Sequence, residues 1–165
     1  MKRSLNIALV AHDARKDELV EWCTHNAQWL NKHKLFGTGT TARMLNQIMV
    51  PVERKEGFIM PDCEALPLSV KPLLSGPLGG DQQIGAMIAQ GDIDILIFFC
   101  DNLITQGHHQ DVGALVRLAS LYNIPFATNR TTADMIVTSP LTADADYTPI
   151  IPAAIDNYKN RFNKK

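Results

Sequence analysis

The sequence has no excess of either charge, no long apolar run and few cysteines, and each shortage excludes a class of protein. Lys and Arg number 16 against 17 Asp and Glu, a formal net charge of −1. That balance gives no basic face for sequence-independent nucleic-acid binding, although a locally positive pocket remains compatible with it. The 3 cysteines, Cys23, Cys63 and Cys100, are odd in number and far apart, with no Cys-x-x-Cys pair and no Cys/His cluster at zinc-site spacing. They read as reduced thiols of a cytosolic protein, and Cys100, at the end of an apolar run, as a small core hydrophobe. No segment approaches the roughly 20 apolar residues of a membrane span. After the basic start Met1-Lys2-Arg3-Ser4 the apolar stretch is too short for a signal peptide, because Asp13 and Lys16 interrupt it. The chain therefore reads as cytoplasmic. It shows no internal repeat and no low-complexity segment.

What is present fits one domain. The chain has 165 residues, 45% of them hydrophobic, enough for a single sizeable core. Short apolar runs alternate with helical patterns. Asn6–Ala11, Lys34–Thr38, Val70–Leu74, Ile93–Phe99 and Ile124–Thr128 read as strands, with Ile93–Phe99 the clearest. Arg15 to about Lys32, Thr40–Met49, Gly80–Gln90, Gln110–Tyr122 and Thr131–Val137 read as helices; Tyr147–Ile151 is a candidate last strand and Ala153–Phe162 a closing helix. This alternation, with strands apolar on both faces, predicts an α/β fold: a doubly wound, mainly parallel β-sheet with helices on both faces. Residues 50–72 break the pattern with Pro51, Pro61, Pro67 and Pro72 and the run Glu53-Arg54-Lys55-Glu56. They read as an inserted loop or β-excursion within a single domain spanning 1–165.

In such a sheet ligands sit outside the carboxyl ends of the strands. The polar residues fall there repeatedly: His12-Asp13 and Lys16 after the first strand, Thr38-Gly39-Thr40-Thr41 after the second, Ser75-Gly76-Pro77-Leu78-Gly79-Gly80-Asp81 after the third. Asp101 and then His108, His109 and Asp111 follow the fourth, and Asn129-Arg130-Thr131-Thr132 the fifth. Hydroxyls and glycines at a helix start suit an anion, because backbone N–H groups are unpaired there and the helix dipole favours negative charge. Thr40 taken alone reads more simply as a cap. Both loops together with Lys16 favour a phosphate site. Asp81 is either a base or a first-turn acid that complements the dipole. His12 is either a satisfied core histidine or a donor; Asp13 either orients it or caps a helix. Asp101 and Asp111 have capping readings of their own, and His109 reads as an exposed loop residue. No local spacing gathers metal ligands.

Ile7–Asp13, Thr38–Thr41, Leu74–Gln83, Ile95–Asp101, His108, Asp111, Leu115–Ala119 and Ile124–Asn129 together resemble the methylglyoxal synthase family over nearly the whole chain. The Ser-Gly-Pro-Leu-Gly-Gly-Asp-Gln-Gln stretch is the specific part; Thr-Gly-Thr-Thr alone is not. The resemblance implies conversion of dihydroxyacetone phosphate to methylglyoxal and inorganic phosphate, with no metal and no organic cofactor. It makes Asp81 the acid/base, puts His108, Asp101 and Asp111 with it, and assigns substrate binding to His12, Asp13, Lys16, Thr38, Gly39, Thr40, Thr41, Ser75, Gly76 and His108. Arg161 falls near a family arginine. The resemblance also implies a homohexamer inhibited by phosphate. The chain departs from the family at Cys100, where Trp is frequent, and in a longer segment over 50–72. The rival readings are a regulatory domain that binds a phosphorylated effector, as in carbamoyl phosphate synthetase, an isomerase on the same substrate, and a metal-dependent aldolase.

Overall fold

The computed structural model describes residues 4–52, 65–103 and 109–161. Its strands are β1 (Asn6–Ala11), β2 (Lys34–Gly37), β3 (Met49–Pro51), β4 (Ala65–Pro67), β5 (Val70–Pro72), β6 (Ile95–Phe99) and β7 (Phe126–Ala127). Its helices are α1 (Lys16–His25), α2 (Ala27–Leu30), α3 (Gly39–Leu45), α4 (Gly80–Gln90), α5 (His109–Leu121), α6 (Arg130–Thr138) and α7 (Ala153–Lys159). The main sheet has five strands in the order β5-β2-β1-β6-β7, and every pairing in it is parallel. The α/β fold expected from the sequence is the fold observed.

Strand alternation divides the core in two. Ile7, Leu9 and Ala11 of β1 and Ile95, Ile97 and Phe99 of β6 pack with Leu19, Trp22, Cys23, Leu30 and Leu45 on one face. Ala8 and Val10, with Leu96, Phe98 and Cys100, pack with Ile84, Ile88, Leu115 and Ala119 on the other. Both faces of β1 and β6 are thereby buried, which explains why their sequences are almost continuously apolar. Cys100 is a core hydrophobe as expected; burial pushes its thiol up to about 11, with the Arg15 guanidinium opposing and the Asp81 carboxylate adding. Burial also raises Cys23, and both thiols are free. Cys63 lies outside the described residues.

Several expectations change. The helix read over Thr40–Met49 ends at Leu45, and Met49 opens β3. The helix read from Arg15 to Lys32 is broken: Asp13–Arg15 forms a 3-10 turn, and α1 stops at Asn26, whose side-chain amide donates to the Trp22 carbonyl at 2.9 Å. A short amide competing for a helix carbonyl is a local stop signal that apolar periodicity does not register. Tyr147–Ile151 is not a strand; it is irregular chain that contains Pro149 and runs into Pro152, neither of which has an N–H to give a ladder, and Asn123 Nδ2 donates to the Ile150 carbonyl at 2.8 Å. Within 50–72, β3 and β4 pair as an antiparallel hairpin, whereas Val70–Pro72 is β5, an edge strand of the main sheet. The charged run Glu53–Glu56 and Pro61 lie outside the described residues. No helix among the described residues is long and apolar enough to cross a membrane.

His33 ties the start of β1 to the approach to β2. Its Nδ1 accepts from the Leu5 N–H at 3.2 Å, its ring stands edge-on to Trp29, and its Nε2 is buried without a hydrogen-bond partner among the described residues. Burial, and then the Lys32 ammonium, hold its pKa below the ordinary 6.5, with Asp94 opposing. The unfolded chain therefore binds the proton more readily than the native one, and native stability falls as pH drops through and below about 6.5. Urea unfolding midpoints measured down this range should decline, and His33→Gln should flatten the decline; an equally steep His33→Gln profile would remove His33 as its source.

Candidate active site

The chain reverses direction across the sheet at β1: β2 and β5 lie on one side, β6 and β7 on the other. The crevice at such a switch point opens at the carboxyl ends of the central strands. There a cavity of about 180 Å³ is lined by Ala11, His12, Asp13, Lys16, Thr38, Thr40, Ser75, Gly76, Pro77, Asp81 and Phe98, among others.

His12 is fixed from two sides. Its backbone N–H continues the β1–β6 ladder to the Phe99 carbonyl at 3.1 Å, and its Nδ1 accepts the Asp101 backbone N–H at 2.8 Å. The Phe98 ring meets it edge-on at 5.1 Å between centroids. An Nδ1 that accepts from an amide carries no proton, so the neutral ring holds its hydrogen on Nε2 and offers a donor there. The Asp101 side chain, 8% exposed, turns to its own loop and accepts from the Leu103 N–H at 3.0 Å. Asp101 thus acts on His12 through its backbone while its carboxylate closes a turn. Lys16 Nζ pairs with Asp13 at 2.5 Å; the lysine is largely covered and the aspartate is exposed.

The hydroxyl loops are not explained by capping. Thr38 stands at the N-cap of α3 and Ser75 at the head of the 3-10 turn Gly76–Leu78, and neither side chain makes a capping hydrogen bond. Asn129, by contrast, caps α6 by accepting from Thr132 N at 3.0 Å, and Arg130 pairs with Glu21. The cluster after β7 is therefore structural, while the Thr and Ser loops face the cavity. Gly39 and Thr41 stand behind its lining: the Gly39 N–H donates to the Leu74 carbonyl at 3.2 Å, and the Thr41 hydroxyl is buried 3.4 Å from that of Thr38.

Asp81 lies in the first turn of α4 and is 4% exposed. Its carboxylate abuts Gly76, where an added Cβ would come within 3.1 Å of Oδ2. Gly79, with φ of 104°, turns the chain from the 3-10 turn into α4, a backbone state few other residues adopt cheaply. Gly80 leaves no room at all: a Cβ there would stand 2.0 Å from the Leu74 carbonyl oxygen. Asp81 also lines a groove between α4 and α5 with Gln82, Gly85 and Asp111. His108 lies outside the described residues. Arg161 follows α7 and stacks on Tyr158; it is not among the cavity-lining residues. Among the described residues no group of three or more His, Cys, Asp or Glu side chains is placed to hold a metal ion.

Sequence reasoning missed Phe98 and Pro77, which wall the cavity, and Gln83, whose side chain is described below. Phe98 was hidden in an apolar run; only its place at the strand's carboxyl end set it apart.

An open parallel sheet with a carboxylate, an imidazole donor and an ammonium around one hydroxyl-lined crevice defines an α/β enzyme for a small anionic substrate. The model of the MGS-like domain matches residues 18–128. The methylglyoxal synthase of Oleidesulfovibrio alaskensis is 44% identical over 157 residues, 92% of this chain and 96% of that protein. That of Proteus mirabilis is 51% identical over 136 residues, 82% of this chain and 78% of its own. The crystal structure of the Elizabethkingia anophelis methylglyoxal synthase aligns with a TM-score of 0.77 at 40% identity, covering 98% of this chain and 92% of that one. The chain belongs to the methylglyoxal synthase family, and as such is an enzyme, a lyase that eliminates phosphate.

The contact at Gly80 gives a direct test. Gly80→Ala forces the Leu74 peptide away from α4, and overpacking of this kind costs about 1–3 kcal/mol. Thermal unfolding should report that loss together with weakened inorganic phosphate binding. A variant as stable as the parent and as tight for phosphate would show that the junction yields freely.

Proposed function

We propose that the chain converts dihydroxyacetone phosphate to methylglyoxal and inorganic phosphate, with Asp81 moving the proton. The observation that carries this reading is a buried carboxylate packed against Gly76 in the cavity that also presents Ser75, Thr40 and Lys16. A phosphate sensor needs the hydroxyl loops and the ammonium. It has no use for a base set against the loop that would hold the phosphate, and this disfavours the regulatory-domain reading.

Asp81 takes a proton from the hydroxymethyl carbon, on the side of the ketone away from the phosphate ester, and an enediolate forms. Its oxygen is stabilised by hydrogen-bond donors: His108 by family resemblance, and the Nε2–H of His12 by the tautomer that the Asp101 amide selects. The C–O bond to phosphate then breaks as the enediolate electrons form the new double bond. That bond has to stand nearly perpendicular to the enediolate plane, so the loops at Thr38–Thr41 and Ser75–Gly76 set a torsion as well as supplying affinity. Lys16 leaves Asp13 for the leaving phosphate dianion. Asp111 and the Asp101 carboxylate shape the field around Asp81 and the turn behind His12. No metal or organic cofactor enters this scheme.

The family resemblance extends to a homohexamer inhibited by inorganic phosphate and to a cytoplasmic location. Exposed apolar side chains, among them Met49 and Leu66 on the β3–β4 hairpin and Met135 on α6, fit subunit contacts, and the free Cys23 and Cys100 thiols fit a reducing compartment.

Added dihydroxyacetone phosphate should yield free phosphate and methylglyoxal in equal amounts; glyceraldehyde 3-phosphate as the main product would indicate an isomerase. Asp81→Asn should lower kcat by about 10²–10⁴-fold, the usual worth of a general base, while inorganic phosphate affinity stays within a few fold. An unchanged kcat would remove Asp81 from the chemistry. Lys16→Ala should act in the opposite pattern, weakening phosphate binding by about tenfold or more, as loss of a charge-assisted contact does.

A further inference from the structure

Both phosphate-side loops and the helix carrying Asp81 meet at the backbone of one residue, Leu74. Its carbonyl accepts the Gly39 N–H at 3.2 Å, at the start of the threonine loop. Gly80, immediately before Asp81, lies so close to the same carbonyl that an added Cβ would stand 2.0 Å from its oxygen. The Leu74 N–H donates to Gln83 Oε1 at 2.8 Å. The next residue is Ser75, whose carbonyl takes the N–H groups of Leu78 at 2.9 Å and Gly80 at 3.0 Å. Gln83 sits one half-turn beyond Asp81 on α4, is exposed, and is not among the residues that line the cavity. Its carboxamide is nonetheless the side chain that holds the Leu74 N–H, one residue before Ser75.

We propose that Gln83 is a positioning residue for the elimination. By tying the Leu74 N–H to α4 it anchors the chain where it enters the Ser75–Gly76 loop beside Asp81, and so governs whether the enediolate expels phosphate or is reprotonated. This rests on the reading of the site given above. The physical reason is geometric. Proton removal needs only Asp81 near the carbon, but expulsion also needs the C–O bond held out of the enediolate plane, and that torsion is set through the phosphate loop. A displacement on the order of 1 Å at such a group costs up to about 10²-fold in rate. Loss of the Gln83 contact frees the loop without touching the base.

The experiment follows the partition directly. Wild type, Gln83→Leu and Gln83→Glu are given dihydroxyacetone phosphate in deuterium oxide, and phosphate release is compared with deuterium appearing in recovered substrate. Gln83→Leu, which keeps the shape and loses the acceptor, should lower the ratio of elimination to exchange by about tenfold. Gln83→Glu, which keeps an acceptor oxygen, should restore most of it. An unchanged ratio in Gln83→Leu overturns the proposal, as does a Gln83→Glu ratio as low as that of Gln83→Leu. Position 83 is exposed, so the fold is not at stake; should Gln83→Leu still fail to fold, Gln83→Met removes the same acceptor with a good helix former. Wild type that releases no phosphate would sink the reading of the site itself, whereas wild type that eliminates, beside an unchanged Gln83→Leu ratio, would sink only the role of Gln83.

Discussion

The parallel pairing of β1 with β6 is the constraint from which the rest follows. Five residue pairs, from Ile7 with Ile95 to Ala11 with Phe99, run through the middle of the molecule with side chains buried on both faces. Polar groups have no place along such strands and can appear only where the strands end. The ladder continues one step beyond the apolar run, from His12 N–H to the Phe99 carbonyl, and then changes character: the next bond, from the Asp101 amide, goes to an imidazole rather than to a carbonyl. At that step the sheet stops being scaffold and becomes site. The tautomer of His12 is therefore a property of strand register, fixed before any substrate arrives.

Much of this was legible in the sequence because it depends on local chemistry. The apolar runs at Ile7–Ala11 and Ile95–Phe99 admitted few other readings, and the parallel sheet with its ligand edge followed from their alternation with helices. His12, Asp13, Lys16, Thr38, Thr40, Ser75, Gly76 and Asp81 were all placed at that edge by position after a strand, and they do line one cavity. Whether Thr38 and Ser75 were caps was undecidable from residue type, since the same hydroxyl serves either purpose; their lack of capping bonds, beside the capping by Asn129, separates the two uses. The break at Asn26 and the irregular path over Tyr147–Ile151 were illegible for a different reason. Each involves a side-chain amide holding a backbone carbonyl, beside two prolines in the second case, and hydrophobic periodicity averages over such contacts.

Gln83 shows where sequence reading stops for a structural reason. It stood in the most specific motif of the chain, next to residues with obvious chemistry, yet an exposed glutamine on a helix carries no signal of its own. Its importance comes from the Leu74 amide it meets, nine residues back, across a turn built from Gly76, Gly79 and Gly80. The glycines were visible; what they brought together was not. Close approach of backbone to backbone at Gly80 brings the loop beside Asp81, and the Gln83 side chain ties it to α4.

The pairing of Lys16 with Asp13 bears on how the crevice meets an anion. A lone ammonium in a cavity wall would recruit small ions from solution, and each would have to be displaced before a phosphate could dock. Here the counter-ion is built in and tethered three residues away, on a side chain that stands 91% exposed. On the proposed reading, a phosphate that takes the lysine displaces a carboxylate already in contact with water. On that reading the site keeps its own salt, and its occupancy becomes an exchange between two anions, one of which never leaves the molecule.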